Sequence, residues 1–295
     1  MGNEAARRTA FGPMLIVAAD QHEARPIVRD AAARPMLPNA ARRALSWRLA
    51  RRLLQLATER QIPGIWGWML CRKRYTGDAA ERALANGAEA VVLLGAGLDT
   101  LALRVPALRR TRVYEVDLPG NIAAKRTALV RAFGETPRHV VPVALDFETG
   151  SLGQELVAAG WSPRVKTLFV WEGVTQYLPR AAVGQTLGSL RRASPGSLLA
   201  LTYVRDDFMS GREFYGAEPV YRRIVERQRL WKTGFAPDEL AGLLAEHGWR
   251  VVEDVGSAEL AERYVAPSGR ALPLTGMERW ALAEKTWPEE SSSVV

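Results

Sequence analysis

Residues 88–119, AEAVVLLGAGLDTLALRVPALRRTRVYEVDLP, hold the pattern that decides the fold of this chain. An apolar run over 91–94 ends in Gly-Ala-Gly at 95–97, and a second strand-like run over 113–116 ends in Asp117. A buried parallel strand that enters a tight glycine turn lets a ligand approach the backbone. A carboxylate at the tip of the next strand, about 20 residues on, can accept hydrogen bonds from a ribose diol. The stretch therefore predicts a nucleoside-cofactor site in a parallel α/β sheet.

From residue 88 onward, short apolar runs alternate with helical patterns, which predicts parallel βαβ units. The predicted strands span residues 90–94, 112–116, 139–144, 167–171, 197–204, 249–255 and 278–285. The predicted helices between them span residues 98–108, 121–133, 151–159, 180–193 and 238–247. We therefore predict a doubly wound sheet of seven strands in a core domain at residues 88–287.

Residues 1–87 are predicted to form a helical cap that precedes this sheet. Four prolines break any long helix before residue 40, namely Pro13, Pro26, Pro35 and Pro38. Apolar residues at helical spacing predict helices at 40–60, 65–75 and 79–86.

Two further segments stand apart from the alternating pattern. Residues 205–235 are longer than an ordinary crossover and mix aromatic with charged side chains, which predicts a helical insertion over the active site. The last residues, 288–295, are predicted to be a disordered tail.

The composition limits the class of protein. With 47% hydrophobic and 24% charged residues, it is typical of a soluble globular protein. No apolar run approaches the roughly 20 residues that a membrane-spanning helix needs. The apolar run at 14–19 is too short for a signal peptide, so we expect a cytoplasmic protein with no membrane partner. The single cysteine, Cys71, excludes an internal disulfide and a cysteine cluster for zinc, and no metal is expected.

The net charge of +8 lies mainly in residues 1–75, and the rest of the chain is nearly neutral. Such asymmetry occurs where a protein contacts nucleic acid or a membrane, but it also occurs on a solvated helical face rich in arginine. A basic cap that attracts an anionic small substrate is a further interpretation. Because no aromatic residues interleave with the basic ones, as in proteins that stack bases, we expect no nucleic-acid partner.

The glycine turn by itself does not identify the cofactor. A dinucleotide fingerprint reads G-x-G-x-x-G, and the stretch GAGLDT at 95–100 has no third glycine. That glycine allows close helix–strand packing beneath a pyrophosphate, so its absence disfavours NAD and FAD and an oxidoreductase. S-adenosylmethionine has no pyrophosphate and needs only the bend and the close backbone.

Acidic residues are predicted at the tips of three successive strands. Asp117 ends the second strand, and Glu115, two residues earlier on the same face, is the alternative ribose partner if the strand ends sooner. Asp146 and Phe147 end the third strand, where a carboxylate can accept the adenine amino group; the alternative for Asp146 is an N-cap of the next helix. Glu172 ends the fourth strand, where it would face a sulfonium or an amino group. Together these positions favour S-adenosylmethionine.

The motifs GAGLDT, EVDLP, LDF and WEGVTQYL, in this order and spacing, resemble the leucine carboxyl methyltransferase family and its bacterial O-methyltransferase branch. The resemblance is strongest over residues 70–205. It implies an α/β protein with the Rossmann-like, seven-stranded sheet of class I methyltransferases and helices on both faces. It also implies an N-terminal helical cap and a helical insertion after the fifth strand.

The resemblance further implies which residues hold S-adenosylmethionine and its product, S-adenosylhomocysteine. Arg72, shortly before the first strand, would clamp the methionyl carboxylate, and Arg74 is the alternative. The other implied contacts are Gly95, Ala96 and Gly97 at the turn, Asp117 and Leu118 at the ribose, Asp146 and Phe147 at the adenine, and Glu172 at the amino group.

The expected reaction is methyl transfer to a carboxylate of a small molecule or peptide, in specialised metabolism as the resemblance implies. A carboxylate is ionised near neutral pH, so no general base is needed, and catalysis rests on in-line positioning with water excluded. Substrate contacts are expected from Tyr177 after the fourth strand and from Tyr203 and Arg205 after the fifth. Simple packing is the alternative for all three.

Other functions stay open at this point. Methylation of a phenol or an alcohol would need a base near Tyr177 or His247. Methylation of RNA or protein would use the basic N-terminal region as a docking surface, and its binding would depend strongly on salt. A relative that binds a ligand without catalysis is a further alternative, because a fold does not guarantee chemistry. Both a monomer and a homodimer are compatible with the sequence.

Overall fold

The computed structural model describes residues 2–286, with side chains from residue 11 onward. The predicted tail at 288–295 lies outside the described residues. None of the helices within residues 2–286 is long and apolar enough to cross a membrane.

One sheet of seven strands forms the centre of the molecule. The strands are β1 Ala90–Leu94, β2 Arg112–Asp117, β3 Val140–Ala144, β4 Thr167–Trp171, β5 Leu198–Val204, β6 Trp249–Val255 and β7 Glu278–Lys285. Their order is β3-β2-β1-β4-β5-β7-β6; the first five are parallel, and β7 is antiparallel to both of its neighbours. Each predicted strand is confirmed, with its ends within one residue of the prediction.

The strand register brings the predicted site together. Leu94, the last residue of β1, lies opposite Val116 of β2, so the glycine turn and Asp117 follow at the same edge of the sheet. Strands β1, β4 and β5 are buried along their whole length because helices cover both faces. Strands β2 and β3 lie on one side of β1, and β4 and β5 lie on the other. The strand order therefore reverses at β1, which creates the crevice where ligands bind in such sheets.

Helices occupy the N-terminal region and the crossovers. Those before the sheet are α1 Gly2–Asp20, α2 Ala33–Met36, α3 Asn39–Ser46, α4 Arg48–Glu59 and α5 Ile65–Ala85. Those that follow are α6 Leu101–Arg104, α7 Pro119–Phe133, α8 Leu152–Ala158, α9 Arg180–Ser189, α10 Asp206–Met209, α11 Glu218–Val220, α12 Pro237–Glu246 and α13 Ser257–Leu260. Single 3₁₀ or π turns lie at Pro106–Arg110, Thr175–Tyr177, Tyr221–Arg227, Ala261–Val265 and Ala266–Ser268.

The prediction that prolines break any long helix before residue 40 is wrong for α1, which continues through Pro13. A proline inside a helix removes one backbone donor. However, the following residues Met14, Ile16 and Val17 are buried in the main apolar core, and this burial stabilises the helix in spite of the lost hydrogen bond.

Four other predicted helices differ from the structure. The helices predicted at 65–75 and 79–86 are one helix, α5. The helix predicted at 40–60 is divided into α3 and α4 by the extended backbone of Trp47. The helix predicted at 98–108 is reduced to the short α6, because Pro106 starts a separate 3₁₀ turn.

The predicted cap and the sheet share one core. Trp68 and Leu70 of α5 are fully buried in the same apolar cluster as Val91 of β1 and Leu168 of β4. The predicted boundary at residue 87 therefore falls between α5 and the first strand that it covers. The predicted insertion at 205–235 contains α10, α11 and the π turn, and then an extended segment that returns to β5.

Candidate active site

A cavity of about 680 Å³ lies at the carboxyl ends of β1, β2 and β4. Its floor is formed by the sheet, and its walls come from α1, α5 and the segment at 224–232. Its volume is in the range of small-molecule sites, roughly 300–1,000 Å³. The cavity occupies the crevice where the strand order reverses, so its position is that expected of a ligand site.

The turn after β1 can be built only with glycine at its first position. Gly95 has a φ of +77°, and a Cβ on it would lie 2.3 Å from Cγ2 of Val174. The N–H groups of Gly95 and Ala96 donate to the carbonyl of Val116, at 2.8 and 3.0 Å. Gly97 also has a positive φ, +44°. Because the turn is fixed to β2 and carries no bulk, its backbone forms part of the cavity wall.

Asp117 connects this turn to the tip of β2. Its Oδ2 accepts a hydrogen bond from the Gly97 N–H at 2.6 Å, and its Oδ1 accepts from the Leu118 N–H and from Asn121 Nδ2, both at 2.7 Å. A carboxylate has about four acceptor positions, so these three donors leave room for a ligand hydroxyl. The glycine turn after β1 and the carboxylate at the tip of β2 are thus in direct contact.

Glu115, the alternative to Asp117, lies outside the cavity lining. It is buried beneath α7, where its Oε1 is 2.8 Å from Nζ of Lys125. Burial raises the pKa of Glu115, and Lys125 opposes this effect. The two carboxylates share a face of β2 as predicted, but only Asp117 lies at its end.

At the tip of β3, both Asp146 and Phe147 line the cavity. The Asp146 carboxylate accepts a hydrogen bond from the Glu148 N–H at 2.9 Å. It does not cap α8, which begins at Leu152, so the N-cap alternative is wrong. The ring of Phe147 packs against Trp171, with 6.5 Å between the ring centroids.

Arg72 and Glu172 form a buried ion pair in the cavity wall, with 2.8 Å between Arg72 Nε and Glu172 Oε1. Arg72 Nη1 also contacts both carboxylate oxygens of Glu278, at 3.2 Å. Burial disfavours the charge on Arg72, but Glu278 and Glu172 raise the pKa of its guanidinium above the ordinary value. The alternative, Arg74, is exposed and pairs with Asp78 outside the cavity lining.

Two further charged residues complete this wall, and the sequence analysis did not single them out. Lys73 Nζ lies 2.6 Å from Glu172 Oε1 and also pairs with Asp99. Burial opposes the ionisation of Asp99, but Lys73 and Arg104 hold the pKa of this carboxyl group far below its usual range. The available signal was that Lys73 follows Arg72 directly and that Asp99 lies inside GAGLDT.

Glu278 had no comparable signal in the sequence. It is the first residue of β7 and reaches the cavity because β7 pairs antiparallel with the end of β5. There it accepts hydrogen bonds from Arg72 and, at 2.6 Å, from the indole of Trp68. Only the position of the last strand in the sheet brings this carboxylate to the site.

Of the three predicted substrate contacts, only Tyr177 lines the cavity. Tyr203 points to the opposite face of β5, where it is fully buried and its hydroxyl donates to Asp254 Oδ2 at 2.7 Å. Arg205 pairs with Asp207 at 2.5 Å and lies over the ring of Tyr215, also outside the lining. Neither predicted contact therefore lies in the cavity wall; Tyr203 faces away because alternate residues of a strand face opposite sides, and Arg205 follows the end of β5.

The exposed arginines of the cap lie mainly on α3 and α4 and include Arg42, Arg43, Arg48 and Arg52. None of these four side chains lines the cavity. Arg72 and Lys73 do so, and both are already paired with carboxylates. These four arginines therefore lie on exposed helices away from the cavity.

The model of the family described as leucine carboxyl methyltransferase matches residues 10–191. The chain belongs to the leucine carboxyl methyltransferase family. A Frankia alni protein provisionally named an S-adenosyl-L-methionine-dependent methyltransferase is 34% identical over 205 residues, which cover 68% of this chain and 69% of that protein. The chain is an S-adenosylmethionine-dependent methyltransferase, as the resemblance of its motifs implied.

Solved structures confirm the predicted fold class. A provisionally named methyltransferase of Thermobifida fusca matches with a TM-score of 0.58 at 20% identity, over 81% of this chain and 89% of that one. A DUF574 family protein of Streptomyces avermitilis matches with a TM-score of 0.57 at 17% identity, over 80% of this chain and 90% of that one. Both likenesses concern the fold alone.

The cavity is chemically suited to this cofactor. Glu172 Oε2 is buried and has no hydrogen-bond partner among the described residues. A buried carboxylate oxygen without a partner destabilises the protein, and a cationic amino group beside it would remove that cost. The bend at Gly95 and the free acceptor capacity of Asp117 match the other polar part of the cofactor, its nucleoside.

Proposed function

We propose that this methyltransferase is an O-methyltransferase that converts the carboxylate of a small-molecule or peptide acceptor into a methyl ester. We further propose how the cavity divides. Arg72 and Glu172 hold the amino-acid end of the cofactor, residues 95–97 and Asp117 with Leu118 hold its ribose, and Asp146 with Phe147 frames its adenine. The acceptor occupies the remaining space, between Tyr177 and the cap.

The observation that carries the carboxylate assignment is the lack of a histidine along the described cavity wall. His139 bonds the carbonyl of Ala102, His247 lies at the end of α12, and neither they nor His22 line the cavity. The buried carboxylates there are already engaged, Glu172 and Asp99 by cations and Asp117 by N–H donors. Burial raises the pKa of Asp30, but its carboxylate accepts hydrogen bonds from Thr100 and from the Ala32 N–H. An acceptor that is already ionised suits such a wall best.

In the proposed mechanism the residues position rather than activate. S-adenosylmethionine supplies a methyl group on a cationic sulfur, which an oxygen nucleophile can displace in line. The Arg72–Glu172 pair and the turn at 95–97 fix one reactant, and the apolar wall excludes water around the other. The acceptor carboxylate arrives ionised, so no side chain has to accept a proton.

A hydroxyl acceptor is the second candidate, and Tyr177 is the one observation in its favour. Its side chain lines the cavity and is half-buried, so its hydroxyl is the nearest protein group that could relay a proton. This route predicts a rate that rises toward the pKa of a phenol acceptor, near 10, whereas a carboxylate acceptor gives a rate that is flat above about pH 6.

The first experiment is titration calorimetry with S-adenosylhomocysteine and with NAD. We expect binding of the first alone, weakened about 100-fold or more in Asp117→Ala. Purified protein is then incubated with S-adenosylmethionine and matched pairs of carboxylic acids and phenols. Formation of a product that alkali hydrolyses back to the acid supports the ester. An alkali-stable ether formed only from phenols would overturn the carboxylate proposal and favour the second candidate.

A further inference from the structure

Two side chains buried in the cavity wall each have a polar atom without a hydrogen-bond partner among the described residues, and the proposed function assigns neither of them a role. Gln176 is 4% exposed and its Oε1 has no hydrogen-bond partner among the described residues. Trp231 is 8% exposed and its indole Nε1 is likewise unpaired. Both residues line the cavity. Buried polar groups are normally paired, so an unpaired couple in one cavity indicates a ligand that pairs them.

The two segments that carry these residues are held together. The carbonyl of Gln176 accepts a hydrogen bond from the Lys232 N–H at 2.6 Å, next to Trp231 in the chain. The ring of Trp231 meets Tyr177 edge to face, with 6.4 Å between the ring centroids. Thr233 Oγ1 bonds the carbonyl of Leu178 at 2.7 Å and fixes the next residues of both segments. The wall is therefore a fixed unit, formed by residues 176–178 and 231–233.

An unpaired indole N–H is not by itself a sign of a ligand. Trp171, Trp249 and Trp280 also have an unpaired Nε1, but they lie in the apolar core and outside the cavity lining. Trp231 differs because it lines the cavity beside Gln176. Of the other amides of the lining, Gln61 and Gln228 are exposed, and Asn121 donates to Asp117.

The chemistry of the pair is neutral. An indole N–H only donates, whereas a carboxamide offers a donor and an acceptor that exchange places when it turns by half a rotation. The buried cations of the cavity, Arg72 and Lys73, are already engaged by Glu172, Glu278 and Asp99. A carboxylate held by neutral donors keeps more of its negative charge than one paired with a guanidinium, and so stays a better nucleophile.

The space beside this pair is mainly apolar. Its lining includes Ile16 and Val17 of α1, Ile62, Met69 of α5, Ile224 and Leu230, and two exposed cations, Arg229 and Lys232, also belong to it. The apolar side chains favour an apolar body, and a second charge held among them would be buried without a partner.

Taken with the proposed function, on which this rests, these features define the acceptor. We propose that Gln176 and Trp231 hold the head group of the acceptor, and that the acceptor is a small monocarboxylic acid with an apolar aromatic or alkyl body. The pair gives the acceptor its orientation; the reacting oxygen faces the methyl group.

The test uses named acids and a binding readout beside the rate. Octanoate, decanoate, benzoate, 4-phenylbutanoate and indole-3-acetate are titrated into the wild-type protein saturated with S-adenosylhomocysteine, each beside its dicarboxylic counterpart. The acids that bind are then used for kinetics with S-adenosylmethionine. We expect at least one monocarboxylic acid to bind and its dicarboxylic counterpart to fail.

Four variants assign the effect to the pair. Gln176→Leu keeps the approximate size of the side chain and removes its polar group, whereas Trp231→Phe removes the indole N–H together with one ring. We expect each to raise KM about tenfold or more, with a smaller change in kcat. Trp249→Phe removes an equally unpaired indole N–H outside the cavity, and Gln154→Leu removes an exposed amide on α8; neither should change KM.

The outcomes separate this inference from the proposed function. If S-adenosylhomocysteine binds but no acid does, or if Gln176→Leu and Trp231→Phe leave KM unchanged, the assignment of the pair is overturned while the cofactor site stands. If Trp249→Phe raises KM as much as Trp231→Phe, the effect is structural and the assignment is equally overturned. Failure of S-adenosylhomocysteine itself to bind would remove the proposed function and this inference together.

Discussion

The two halves of the cavity are built in opposite ways. The half assigned to the cofactor is charged, and most of its groups follow strand tips within residues 94–173, joined by Arg72, Lys73 and Glu278. Its side chains are tied to one another, as Gly97 is to Asp117 and Arg72 is to Glu172. The half assigned to the acceptor is apolar, and its walls come from α1, the end of α4 and the segment at 224–232.

This difference indicates how the two halves can vary. A strand tip cannot move without disturbing the sheet, so the geometry of the cofactor half is fixed by the fold. The acceptor half depends on helices and loops packed over the sheet, where changes of sequence alter shape and polarity without altering the strands. Substitutions should therefore act on stability and cofactor binding in one half, and on acceptor choice in the other.

The largest effect is expected from Arg72→Met. This change leaves Glu278 buried without its cation and Glu172 with Lys73 alone, and breaking a buried pair in this way costs about 3–5 kcal/mol of the free energy of unfolding. We also expect the loss of measurable S-adenosylhomocysteine binding. Urea unfolding and calorimetry measure the two effects.

The matched control is Arg74→Met, which removes an exposed arginine two residues away. Its pair with Asp78 is solvent-exposed, so the free energy of unfolding should change by about 0.5 kcal/mol or less. If Arg74→Met rather than Arg72→Met abolished binding, the assignment of the cofactor carboxylate to Arg72 would be wrong.

The next effect is expected from Asp117→Ala. It removes an ionised acceptor for the ribose hydroxyls and frees the Gly97 N–H, so Kd for S-adenosylhomocysteine should rise about 100-fold or more. Glu115→Gln, on the same face of the same strand, should lower stability without this change in Kd, because Glu115 pairs with Lys125 beneath α7. Equal effects of the two variants on Kd would mean that both carboxylates support binding by stabilising the fold and that Asp117 does not contact the ribose.

The same division explains how much the sequence predicted. The seven strands, the turn at 95–97 and the acidic strand tips were predicted because local patterns encode them: apolar runs, glycines and the residue that follows each run. The cofactor half was therefore largely visible in one stretch of chain, and Lys73 and Asp99 were missed only because ion pairing within a motif has no sequence signature.

The acceptor half could not be predicted in the same way. Trp231 reaches the cavity through the return of the insertion to Gln176, and in the cofactor half Glu278 does so through the antiparallel pairing of β7. Both depend on contacts between segments that are distant in sequence. Tyr203 was misplaced for a local reason, since an error of one residue in the strand face sends a side chain to the opposite side.

Tyr177→Phe and Tyr203→Phe give a smaller effect that sharpens the comparison. Tyr203→Phe removes a hydroxyl bonded to Asp254 in the core, so the free energy of unfolding should fall by about 1 kcal/mol while KM and kcat stay unchanged. Tyr177→Phe should leave stability nearly unchanged and alter KM for the acceptor. Thermal unfolding and kinetics on the same preparations separate the two results. A loss of activity in Tyr203→Phe would contradict the position of Tyr203 outside the cavity.

The smallest effect concerns pH and His247, the residue once considered as a base. Burial, Arg191 and Lys285 lower the pKa of His247, so the folded state binds this proton less readily than the unfolded state. The stability that neutral His247 contributes to the folded state is therefore fully present above its unfolded pKa, about 6.5. It is lost as the pH falls through that value toward the lower folded pKa. His247→Gln should flatten this shallow decline of the free energy of unfolding, measured with urea between about pH 7 and pH 5.

The same variant should leave the pH dependence of kcat unchanged, because His247 lies at the end of α12 and outside the cavity lining. A shifted pH–rate profile in His247→Gln would instead assign it a role in proton transfer and return the acceptor to the phenol or alcohol class.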